Sequence, residues 1–123
     1  MSTRQSFLEA YVGQAFPDPE KIVYAGSSMY YPINRALVLK IELCTSLSYD
    51  ERSDTAYGFR LEIDHKTNGL ISTQYLDFKK DLGVPRYAIL NGRWFNETTP
   101  YHHSFFSDRF KTFISKYVRL WTM

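Results

Sequence analysis

Hydrophobic positions change their spacing along the chain, and each change marks an element. Phe7, Leu8, Tyr11, Val12 and Ala15 share one side of a helix, and Ser6 with Glu9 three residues on forms a capping-box pattern. A helix is therefore predicted over about residues 6–16, ended by Pro17-Asp18-Pro19, because proline cannot continue the hydrogen bonding and restricts the residue before it. Ile22-Val23-Tyr24 and Met29-Tyr30-Tyr31 are short β-type runs around Ala25-Gly26-Ser27-Ser28, a hairpin in which Pro32 assigns the second run to a sheet edge.

From Leu37 onward the apolar period becomes two. Leu37, Leu39, Ile41 and Leu43 alternate with polar neighbours, as do Tyr57, Phe59, Leu61 and Ile63, and Asn68-Gly69 is a two-residue turn signal. Pairing Thr67 with Leu70 across that turn stacks the rows Leu39/Leu61/Leu76 and Ile41/Phe59/Phe78 into an antiparallel meander with one apolar face. The other face then carries Lys40/Arg60/Asp77 and Val38/Glu62/Tyr75, with Asp77 paired to Arg60. A further strand is expected around Arg86–Leu90, turning at Asn91-Gly92 into Arg93-Trp94-Phe95. Beyond it Ser107 caps a second helix in which Phe110, Phe113, Ile114, Tyr117, Val118 and Trp121 recur with helical spacing.

Two helices with one apolar stripe each and a sheet with one apolar face predict a two-layer α+β fold. It comprises an antiparallel sheet of about five strands with an N-terminal and a C-terminal helix on one face, in a single domain over residues 1–123. A helix is about 10 Å across and strands lie about 4.8 Å apart, so two helices cover about four strands and leave a strip of sheet open. That strip is the expected place for a partner or ligand.

Composition narrows the function classes. The longest purely apolar run in the middle of the chain, Ala36–Leu39, is far short of a membrane-spanning helix, and the first ten residues lack the apolar stretch of a signal peptide. The single cysteine, Cys44, cannot form an internal disulfide, which makes the cytoplasm the expected compartment. Net charge is +2, with a basic excess in the C-terminal half. Lys116 and Arg119 lie opposite the apolar stripe of the last helix, a weak nucleic-acid surface beside its plainer reading as a solvated face. Aromatic residues make up 17% of the chain, enough to supply both core area and recognition surface.

Catalytic patterns do not hold together. Asp64 followed by Asp77-Phe78-Lys79 resembles the acid, acid-x-Lys pattern of the restriction-endonuclease-like nucleases, but the expected register holds the two carboxylates too far apart to share a metal. His102 and His103 are adjacent and diverge in an extended segment, so no metal site is expected, nor any cofactor. No phosphate loop or nucleophile elbow is present, and no catalytic residue is assigned.

The sequence thus points first to a non-enzymatic interaction module that self-associates as a homo-oligomer through an open sheet edge or exposed rings, with Tyr30, Tyr31, Trp94, Phe95 and Phe105 facing the partner. The alternative is a small-molecule binder or enzyme whose cavity between sheet and helices is lined by His65, Ser72, Gln74 and Tyr57.

Overall fold

The computed structural model describes residues 3–47, 54–90, 92–96 and 103–122. The fold is α+β: a seven-stranded antiparallel sheet with helical segments at both ends of the chain. The strands among the described residues are β1 (Val23–Ala25), β2 (Ser28–Pro32), β3 (Leu37–Leu47), β4 (Asp54–His65), β5 (Gly69–Asp77), β6 (Tyr87–Leu90) and β7 (Arg93–Asn96), against about five expected. Helix α1 (Thr3–Phe7) continues as a wider turn over Leu8–Val12, and α2 runs from His103 to Thr122. Both helices begin earlier than their capping signals imply, which leaves Ser6 and Ser107 inside helical segments.

The order is β1-β2-β3-β4-β6-β7, with β5 also pairing β4. Pro32 does not put β2 at an edge: β2 lies between β1 and β3 along Ser28–Tyr30, and Pro32 is its last residue, opposite Val38 and beyond the β1 pairing. Pairing of β4 passes from β5 along Gly58–His65 to β6 at Thr55 and Ala56, so β5 leaves the sheet where β6 enters. A single helical turn, Phe78–Leu82, makes the transfer. Asp77 caps it by accepting from the N–H groups of Lys79 and Lys80, and Gly83 closes it in the left-handed region at φ 64°.

Both central hairpins stand two residues away from the predicted register. Leu39 faces Ile63 and Leu61 faces Gln74, giving the inward rows Leu39/Ile63/Ser72, Ile41/Leu61/Gln74 and Leu43/Phe59/Leu76. Between the two bulges the displacement is even and keeps each side chain on its face, and so the apolar side remains intact there. For the β4–β5 hairpin the cause is a longer turn, whose three-residue offset the bulge between Ile63 and Asp64 reduces to two. Lys66, Thr67 and Asn68 lie between the paired residues His65 and Gly69, and the His65 Nδ1 accepts from the backbone N–H of both Thr67 and Asn68 at 3.2 Å. Gly69, at φ 81°, supplies the left-handed residue that such a three-residue turn requires.

On the outer face the displacement replaces the expected Asp77–Arg60 pair. Arg60 instead bridges Glu42 at 2.9 Å and Glu62 at 3.1 Å, while Asp77 pairs with Arg86 at 3.4 Å.

Many of the aromatic rings lie inside. The Phe7 ring lies 4.7 Å from Tyr11 and 5.3 Å from both Tyr87 and Trp94, and Phe106 from α2 lies 5.1 Å from Phe78 and 5.2 Å from Tyr87. Phe110 adds a ring tilted against Phe59 on β4, with centres 5.2 Å apart. Rings from both ends of the chain thereby meet those of the sheet in one buried cluster with Leu39, Ile41, Leu61 and Ile63.

Candidate functional site: the free edge of β5 and the adjoining cavity

The strand β5 differs from its neighbours because its side chains find little to pack against. Only Leu76 of Gly69–Asp77 is buried, and among the described strands β5 pairs with β4 alone. Three large apolar side chains stand in solvent along it: Leu70 at 58% exposure, Ile71 at 49% and Tyr75 at 68%. A bulge between Ile63 and Asp64 of β4 leaves Ile71 without an opposite residue and sets Leu70 opposite Asp64. No charged residue interrupts Gly69–Leu76. An uncharged strand with β-branched and aromatic residues and one unpaired row of backbone groups is a template for another strand.

Beside the Tyr75 end lies a cavity of about 440 Å³, lined chiefly by Tyr57, Gly58, Tyr75, Asp77, Lys80 and Asp81. A second bulge builds it. Thr45 faces Ala56 and Cys44 faces Gly58, so Tyr57 has no opposite residue on β3 and can turn beside Tyr75. Gly58 forms part of the floor, where a Cβ would run into the carbonyl oxygen of Leu76.

The charges around the cavity are held in place. The N–H of Lys80 foremost, with that of Lys79 and the Arg86 guanidinium, keeps the Asp77 carboxyl below its usual range despite partial burial. Asp81 accepts from the Asp77 N–H at 2.6 Å. The Glu42 carboxylate, followed by the Tyr75 hydroxyl, raises the basicity of Arg60. Burial, reinforced by Glu42, pushes the Cys44 thiol up and away from thiolate chemistry.

The residues expected to line a small-molecule cavity are not gathered into one place. His65 closes the turn, Ser72 and Gln74 face inward opposite Ile63 and Leu61, and Tyr57 joins the cavity at the far end of the hairpin. Beneath Ser72, burial raises the Tyr117 hydroxyl's pKa, partly offset by Trp121 and Ser72. Of the rings expected to face a partner, Tyr31 is 5% exposed and Trp94 4%, which places both in the core. Tyr30 is half-buried with the Lys40 Nζ 5.8 Å from its ring centre, Phe95 is half-buried, and the Phe105 side chain lies outside the described residues. Lys116 and Arg119 are exposed on α2.

Asp64 and Asp77 stand opposite Leu70 and Gly58, at opposite ends of the β4–β5 ladder; six residues of strand separate those rungs, roughly 20 Å. Among the described residues no group of three or more His, Cys, Asp or Glu side chains is placed to hold a metal. His102 lies outside the described residues, as do Asn91 of the predicted second turn and residues 48–53 between β3 and β4. No described helix is long and apolar enough to cross a membrane.

The β5 edge was hidden in the sequence by its own alternation. Leu70, Ser72, Gln74 and Leu76 read as a half-apolar inward face, whereas the bulge turns Leu70 to the face of Tyr75 and Gln74 stands exposed. No known protein family, curated protein or solved structure matches the chain.

Proposed function

We propose that the protein is a small non-enzymatic binding module that self-associates by strand addition at β5. One observation carries this reading: among the described residues Gly69–Tyr75 is paired on one side only, and it exposes Leu70, Ile71 and Tyr75. Backbone hydrogen bonding supplies affinity in such additions, and side chains on alternate positions supply selectivity. The same observation moves the expected contact away from Tyr31 and Trp94, whose rings support the core.

Light scattering after size exclusion, at high micromolar concentration and at low and high salt, tests the reading. A dimer or larger species that persists in high salt is expected, since the β5 contact is apolar and uncharged. A strict monomer overturns it. Co-eluting nucleic acid that salt strips away would instead favour the exposed Lys116 and Arg119.

A further inference from the structure

We infer that the second copy pairs antiparallel with β5 in one register, which sets Thr73 against Thr73 on a twofold axis and seats Leu70 of each copy at the Tyr57–Tyr75 cavity of the other. This rests on the self-association reading above.

Three constraints select the register. A twofold axis normal to the sheet makes an isologous contact and keeps each sheet face continuous, so residues of the same face must stand opposite one another. The axis therefore passes through a residue position. Centred on Ser72, it would set Tyr75 against Gly69 and Leu70 against Gln74, leaving the apolar groups without apolar partners. Centred on Gln74, it would set Ile71 against Asp77, an apolar side chain against a carboxylate that Arg86 already holds. Centred on Thr73, it sets Tyr75 against Ile71 twice over, Thr73 against Thr73, and Ser72 against Gln74, and it brings Leu70 level with Leu76, past the bulge that has turned Leu70 to the other face. Aromatic with β-branched and Thr with Thr are among the pairs that stabilise antiparallel ladders. With Gly69–Leu76 uncharged, no like charges meet across the axis.

The cavity follows from the same placement. In this register the Leu70 end of one strand runs alongside the Tyr75–Asp77 end of the other. The bulge opposite Asp64 turns Leu70 toward the outer face, the side of Tyr75 and of the cavity of about 440 Å³. An exposed leucine on each copy thus meets a cavity floored by Gly58 on its mate, and the two ends of β5 complement each other.

Charge reversal at the axis tests the register directly. Thr73→Lys and Thr73→Glu are each expected to raise the dimer dissociation constant by roughly fivefold or more, because each variant faces its own like charge. Mixing the two, with a size tag on one, is expected to restore association as a mixed dimer. Thr73 is exposed, so both variants are expected to keep the wild-type circular dichroism, which is recorded alongside. Leu70→Gln is expected to weaken the dimer, while Leu120→Gln, at a leucine of 71% exposure on α2, is expected to leave it unchanged. If the wild type dimerises but the Thr73 variants dimerise as well as it does, or mixing restores nothing, the register is overturned, and strand addition at β5 stands only where Leu70→Gln still weakens the dimer. A wild type that stays monomeric removes the reading and the register together.

Discussion

At the scale of single residues, Gly58 shows how one missing side chain shapes a surface. It sits where the bulge in β4 brings its backbone against the Leu76 carbonyl of β5, and any Cβ there must displace main chain rather than a flexible tip. Gly58→Ala is therefore expected to destabilise the fold by about 1–3 kcal/mol, as overpacking does, measured as a lower urea midpoint. An unchanged midpoint would mean that the two strands can separate at no cost. The sequence marks Gly58 only as an interruption in an alternating strand, because the close approach depends on a bulge that spacing does not reveal.

At the scale of elements, α2 depends on its aromatic face. Phe106 is buried against Phe7, Phe59, Phe78, Tyr87 and Phe110, with ring centres 5.1–6.3 Å away. Phe106→Ala leaves a cavity at the junction of both ends of the chain with the sheet and is expected to cost about 3–5 kcal/mol, read from equilibrium denaturation with tryptophan fluorescence. A loss below about 1 kcal/mol would show that the neighbouring rings close the gap. The helical stripe of α2 was legible because a period of 3.6 over twenty residues admits few other readings. Its start was not, since Ser107 offers a local cap that the longer helix overrides.

At the scale of the whole molecule, the buried tyrosines set an alkaline limit. Burial raises the pKa of Tyr87 strongly and those of Tyr11, Tyr24, Tyr31 and Tyr117 in the same direction. Below the ordinary value of 10.0 the folded and unfolded chains both keep these protons, and stability is fully retained. Above it the unfolded chain releases protons that the folded chain holds, so stability falls as pH rises toward the folded-state values. Denaturation midpoints measured from pH 8 to pH 11 are expected to be level at first and then to fall, together with the rise of tyrosinate absorbance. A midpoint insensitive to alkaline pH would contradict the burial of these hydroxyls.

The chain's own pattern determined the α+β class, the strand alternation and, away from the bulges at Tyr57 and Ile71, the side of each strand that turns inward, because those properties follow from periods of 2.0 and 3.6 that every residue samples locally. What it could not decide was offset. A hairpin displaced by two residues has the same alternation and the same apolar face, so turn closure by His65 and Gly69 had to choose between registers. Tertiary structure alone also decided which rings are core, drawing Tyr31 and Trp94 inward, and where the sheet stays open, since β6 takes over the pairing of β4 and leaves the edge of β5 exposed. Both outcomes depend on contacts between segments distant in the chain, and local spacing carries no record of them.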